Sequence, residues 1–197
     1  KFNQLGIYNV QDLLFHVPLR YEDRTKISLI GKVNIGDQVQ LQGEIVNSSI
    51  QFGRRRSLHC VIRDNTGFIN LRFFHFSAAQ KEMLRTGKQV RCFGEVRRGR
   101  SGLEMYHPEY RILEDPENEP VADSLTPNYP TTEGLQQGRL RNVARQALDI
   151  LEDSGQVQDY LPPYLTHQLG LQNLTEAIKL IHRPPIDSVL SWTNEAI

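Results

Sequence analysis

Little in this chain of 197 residues is suited to chemistry. It holds two cysteines, Cys60 and Cys92, each alone in a separate strand-like segment. Without a C-x-x-C spacing there is no thiolate pair for a metal. Single cysteines in apolar alternation read as small, reduced core residues. No apolar run approaches the roughly 18–20 residues of a membrane span, and no signal-peptide pattern opens the chain. Both points lead us to expect a cytoplasmic protein with no membrane partner. The Gly31-Lys32 and Gly87-Lys88 pairs are followed by Val33 and Gln89. Neither completes the G-x-x-x-x-G-K-[ST] loop whose amides cradle nucleotide phosphates. G-x-S-x-G and H-E-x-x-H are missing as well. Glu22 and Asp23 are adjacent on an irregular stretch and read as surface charge rather than an acid–base pair. His59, His75 and His107 fall in or beside predicted strands without a full ligand set at metal spacing, so they read as imidazoles at a polar surface. We expect no catalytic residue, no metal site and no cofactor in this chain.

Net charge is also missing: 23 Lys and Arg balance 23 Asp and Glu. The balance conceals a division. Residues 39–113 carry 13 Lys and Arg against 6 Asp and Glu, a net +7, and the remainder carries 10 against 17, a net −7. Segregated positive charge points to an anionic partner for that segment. Hydrophobic residues at 39% and charged residues at 23% suit a globular chain rather than a disordered one. The length allows one core with appendages or two small domains. The chain opens on Lys1, and a helical pattern runs to Ile197. We read it as a piece of a longer polypeptide.

Residues 1–38 read as an N-terminal helix and connector: an amphipathic stretch with Asn9 as N-cap, ending at Pro18, then a polar segment. From Val39 the period becomes two. Val39, Leu41, Gly43 and Ile45 alternate with polar residues, as do Leu58, Cys60 and Ile62. Phe68–Phe74 is a third strand. Ser77 caps a short helix closed by Gly87. Val90, Cys92, Gly94 and Val96 mark a fourth strand, and Leu103–Tyr110 a fifth. Residues 39–113 therefore predict a five-stranded OB-type β-barrel, with its helix between the third and fourth strands. Residues 114–134 are acidic and Pro-bearing, which suits a linker. Residues 135–197 predict a helical subdomain: one long amphipathic helix through Leu140, Val143, Ala144, Ala147, Leu148 and Leu151, then short helices around Gln156–Tyr160, Pro163–Leu169 and Leu174–His182. The class is α+β.

The barrel segment carries the means to bind nucleic acid. Cations neutralise phosphates and flat rings stack on exposed bases. Arg54, Arg55 and Arg56 cluster at the tip between the first two strands, and Arg97, Arg98 and Arg100 at the tip between the last two. These are the loops that flank the binding face of an OB barrel. Arg72 precedes Phe73, Phe74 and Phe76, and Tyr106 lies on the fifth strand. Strand alternation sends one of Phe73 and Phe74 into the barrel. Phe74 is the better candidate for the outward ring.

Residues 18–25 (PLRYEDRT), 72–79 (RFFHFSAA), 104–110 (EMYHPEY), 125–134 (LTPNYPTTEG) and 182–185 (HRPP) resemble, in order, the N-terminal wedge region of RecG-type bacterial DNA helicases. The resemblance implies an OB-type wedge at the branch point of a replication fork. There it parts strands during fork regression and branch migration, while aromatic rings stack on bases. The matching rings here are Phe73 and Phe74. Some relatives carry a second aromatic about four residues on, where this chain has Ser77-Ala78-Ala79. The resemblance further implies a separate ATP- and Mg-dependent motor outside this segment, branched and single-stranded DNA as partners, a link to single-stranded-DNA-binding protein, and a monomer. An OB module that takes RNA or an acidic peptide would share the same basic tips. Competition between RNA and forked DNA, and charge reversal at Arg97 and Arg98, separate these readings.

Overall fold

The structure, a computed structural model, describes residues 1–53, 56–99, 101–154 and 157–186. Its elements, in chain order, are α1 (Val10–Leu14), β1 (Arg20–Glu22), β2 (Ile27–Ser28), β3 (Gln38–Gln51), β4 (Ser57–Arg63), β5 (Phe68–Phe73), α2 (Ala78–Met83), β6 (Gln89–Gly99), β7 (Gly102–Tyr106), β8 (Glu109–Leu113), β9 (Thr126–Asn128), α3 (Gln137–Ser154), α4 (Pro163–Gln168) and α5 (Leu174–His182). They divide into two units. One is Arg24–Ala122; the other joins Lys1–Asp23 to the chain from Asp123 onward.

In the Arg24–Ala122 unit, β3, β4, β5, β7 and β6 hydrogen-bond in that order, and β3 pairs again with β6, which closes the ring. β3 can serve two neighbours because it is long. Gln38–Glu44 pair with β6, Glu44–Gln51 pair with β4, and the register shifts between Ile45 and Asn47. Such an irregularity bends a strand and increases its twist, as closure requires. Gly43 sits at the bend, where a Cβ would lie 2.5 Å from the Arg63 carbonyl oxygen. The inward residues Leu41, Ile45, Leu58, Cys60, Ile62, Ile69, Leu71, Phe73, Val90, Cys92, Val96 and Met105 form the core. The Ser77 hydroxyl accepts from the Gln80 amide to start α2, and Leu84 after that helix is fully buried in the same core. The strand order and the helix between the third and fourth ring strands are those of an OB-type fold.

Three features of this unit differ from the sequence expectation. The fifth ring strand ends at Tyr106 instead of running to Tyr110. His107 turns to φ 47°, Pro108 has no amide to donate, and the chain resumes as β8 against Gln89–Phe93 of β6. β2 adds a short parallel pairing to β3. The acidic stretch after Leu113 is anchored to the barrel. The Pro116 carbonyl accepts from Gln42, and the carbonyls of Glu119 and Pro120 accept from Arg91. The unit therefore runs from Arg24 to Ala122 rather than from residue 39 to 113.

In the second unit, Leu140, Ala144, Ala147, Leu148 and Leu151 of α3 pack with Ile7, Leu13, Leu14, Tyr129, Leu135 and Ile178. Asn9 caps α1 in a reciprocal box with Asp12. β1 and β9 form a two-stranded antiparallel sheet, with Arg20 opposite Asn128. Residues 157–160 are not helical, contrary to expectation. The Asp159 carboxylate instead accepts from the amides of Leu161 and Leu174, a local bond that competes with helix formation. Among the described residues no helix is long and apolar enough to cross a membrane.

Candidate nucleic-acid interface

β5 sets the site. Ile69, Leu71 and Phe73 are buried, while Phe68, Asn70 and Arg72 point outward. Phe73 is 2% exposed, with its ring edge-on to Tyr110 at 5.5 Å. It belongs to the core, so of the two adjacent rings only Phe74 remains for the outer face. The cause is parity: residues 69, 71 and 73 share one side of the strand.

Arg72 stands opposite His59 on β4 and Tyr106 on β7. Its Nε donates to His59 Nε2 at 2.9 Å, and its Nη1 lies 3.4 Å from Glu104 Oε2. The Ser57 hydroxyl lies 2.9 Å from the same imidazole nitrogen. A guanidinium only donates, so His59 Nε2 accepts and the ring proton sits on Nδ1. Burial, reinforced by the Arg72 charge and opposed by Glu104, holds the His59 pKa below its ordinary value. At neutral pH His59 is therefore uncharged and can accept from Arg72. The Arg72 guanidinium lies 5.4 Å from the Phe74 ring centroid.

Phe74 is half-buried. It meets Tyr106 edge-on at 5.6 Å and His107 at 5.5 Å. Arg97 lies over the Tyr106 ring at 5.8 Å and is bonded to Glu95 at 2.6 Å. Arg56, after the β3–β4 tip, lies 4.7 Å over the Phe76 ring, and Phe76 packs partly against the core. Arg98 is exposed near the end of β6. Arg54, Arg55 and Arg100 lie outside the described residues. The structure thus joins Arg72, Phe74, Tyr106 and Arg97 through successive contacts, with an Arg–ring pair at the described edge of each tip. His59, Glu104, His75 and His107 complete the cluster. The sequence reading sets the three histidines at a polar surface and passes over Glu104; only strand register brings these residues beside Arg72 and Phe74.

Much of the barrel's positive charge is neutralised within its own unit. Glu44 pairs with Arg63, Glu82 with Arg85, Glu109 with Arg24 and Glu119 with Arg111. Arg24 also stacks over Phe93 at 4.1 Å. Arg91, 4% exposed, donates to Gln42 and to the carbonyls of Glu119 and Pro120. Cys60 and Cys92 are buried free thiols, on strands that are not neighbours. Burial pushes the Cys92 thiol up to about 12, which leaves it inert. Among the described residues no group of three or more His, Cys, Asp or Glu side chains is placed to hold a metal.

Residues 2–151 match the family model described as RecG wedge domain. The ATP-dependent DNA helicase RecG of Escherichia coli is 46% identical over 185 residues, covering 94% of this chain and 26% of the relative. That of Haemophilus influenzae is 44% identical over 198 residues, covering 99% of this chain and 28% of the relative. A solved structure of RecG bound to a three-way DNA junction superposes with a TM-score of 0.76 at 26% identity, covering 100% of this chain and 27% of that one. The chain spans about a quarter of the length of these relatives. With a family model over most of its residues and close relatives along nearly all of it, the chain belongs to the RecG wedge domain family.

Proposed function

We propose that this chain is the branch-point wedge of an ATP-dependent DNA helicase and that it binds forked DNA through the outer face around Phe74. The observation that carries the reading is the Phe74–Tyr106 ring pair, held against Arg72 and Arg97 on a closed barrel. Exposed rings stack on unpaired bases at about 1–3 kcal/mol per base. That offsets the roughly 1.4 kcal/mol of melting one base-pair step. A closed ring of strands is stiff enough to act as a steric separator. The Arg-bearing tips would neutralise the backbones of the diverging strands, with Arg54, Arg55, Arg56, Arg97, Arg98 and Arg100 as candidates. ATP and Mg²⁺ would serve a motor elsewhere in the longer polypeptide. Single-stranded DNA, and a single-stranded-DNA-binding protein with an acidic tail, are the further partners this surface would suit. We expect the wedge to act as a monomer in the cytoplasm.

The test uses the 197-residue chain and a fork carrying 2-aminopurine at the branch. We expect tighter binding to the fork than to the matching linear duplex, and quenching of the branch-point base by stacking. Phe74→Ala should abolish the quench and weaken fork binding about five- to a hundredfold. In the full-length enzyme the same change should impair fork unwinding more than DNA-stimulated ATP hydrolysis. Equal affinity for fork and duplex, indifferent to Phe74, would overturn the reading. So would equal loss of both activities.

A further inference from the structure

A stacking platform works only if its ring leaves the protein in a fixed direction. Phe74 follows the last residue of β5, beyond the paired register. Its amide donates to His107 Nε2 at 3.2 Å, and the His107 amide donates to the Arg72 carbonyl at 2.9 Å. One residue therefore grips both sides of the Arg72–Phe74 segment. The same imidazole lies 5.5 Å from the Phe74 ring, 6.1 Å from the buried Phe73 ring and 6.2 Å from the His75 ring. To sit there His107 adopts φ 47° ahead of Pro108. That backbone is rare for L-residues, though His is among those that tolerate it, and a following proline normally demands extended geometry. No other described residue apart from glycine has a positive φ.

We propose that His107 is a positioning residue, whose neutral imidazole fixes the Phe74 ring by accepting the Phe74 amide proton, and that it makes no phosphate contact itself. The proposal rests on the branch-point reading for its purpose but not for its geometry. An acceptor at Nε2 requires the proton on Nδ1. The titratable and charged neighbours are His75 on the segment leaving β5, Arg72 near the end of β5 and Tyr106 at the end of β7, while Tyr110 on β8 lies against the Phe73 ring. Burial, and then the His75 charge, lower the His107 pKa from its ordinary 6.5. The acceptor is therefore present at neutral pH and is lost as the pH falls through that lowered value.

The first measurement needs no DNA. Long-range ¹H–¹⁵N spectra of the labelled 197-residue chain should show His107 as the Nδ1–H tautomer, with the Phe74 amide shifting as His107 titrates below pH 6.5. An Nε2–H tautomer, or a Phe74 amide indifferent to that titration, overturns the proposal. The second uses the 2-aminopurine fork at saturating chain. Quenching should fall on acidification in the native chain. His107→Asn keeps tolerance of the left-handed backbone. It should weaken fork binding about two- to tenfold and remove the acid-side dependence. Combined with Phe74→Ala it should weaken binding no further than Phe74→Ala alone, since both act through one ring. Additive losses would assign His107 a DNA contact of its own and refute the positioning role. If Phe74→Ala leaves fork binding unchanged, the branch-point reading fails, and the spectra still decide what holds Phe74.

Discussion

Phe73 and Phe74 are chemically identical neighbours with opposite fates. Phe73 is 2% exposed among core residues, while Phe74 is half-buried on the outer face. Deleting a fully buried phenyl removes transfer energy and leaves a cavity, so Phe73→Ala should cost about 3–5 kcal/mol. Phe74→Ala should cost about 1 kcal/mol or less, as for a ring with one open face. Urea unfolding of the two variants checks the order, and a larger loss at Phe74 would reverse our assignment of the inward ring. Strand alternation sent one of the two rings inward and favoured Phe74 for the outer face, and the burial of Ile69, Leu71 and Phe73 on one side of β5 decided between them. The environment of Arg72 was not legible in the sequence. As a lone basic residue beside rings it reads as a phosphate ligand, yet His59 and Glu104 engage it from two neighbouring strands.

Elements of the helical unit are tied together by one buried imidazole. His182, at the end of α5, lies 2.7 Å from the Tyr129 hydroxyl through Nδ1 and 2.9 Å from the Leu14 carbonyl through Nε2. A carbonyl only accepts, so Nε2 carries the proton and Nδ1 accepts from Tyr129. Burial above all lowers the His182 pKa; His16 and Arg183 add to this and the Leu14 bond opposes it. The unfolded chain, with an ordinary value near 6.5, then binds a proton more readily than the folded one. His182 thus contributes stability that is complete above pH 6.5 and is lost as the pH falls toward and through the lowered value. Urea unfolding at pH 7.5 and pH 5.5 should show the loss, and His182→Gln should reduce the difference between the two conditions. The short β1–β9 sheet shows why such ties escape a linear reading. Each strand has three residues, too few for a period, and their partners are more than a hundred positions apart, as in the Asn128–Glu22 bond.

For the whole molecule, net charge says little and its distribution says more. The +7 of residues 39–113 does not all face a ligand, because Glu119 from the acidic stretch pairs with Arg111 and its carbonyl accepts from Arg91. On the proposed reading, the cations that meet DNA are those at the tips, such as the exposed Arg98. Fork affinity should therefore fall with salt, each phosphate contact contributing about 0.7–0.9 to the log–log slope. Arg98→Ala should lower that slope by roughly one contact. Arg63→Ala should leave it unchanged, since Arg63 is paired with Glu44 at the end of β4 away from the tip. Titrations from 50 to 200 mM salt would test both, and equal slope changes would remove the tips as the binding surface.

What the sequence determined by itself is whatever lies in contiguous patterns. Period-two alternation marked the ring strands, Ser77 and Asn9 marked helix starts, and the spacing of strands around one helix predicted the OB-type order. Five short motifs carried the family. Each signal acts over a few residues, where backbone geometry dictates which side chains share a face. Only the tertiary structure decided which ring is held, by what, and which arginines are already engaged. Arg72 meets His59 across 13 positions and Glu104 across 32, Phe74 meets His107 across 33, and Arg91 meets Pro120 across 29. Those contacts follow from strand register and from the turn at His107 and Pro108. Register depends on the packing of the entire ring rather than on any one segment.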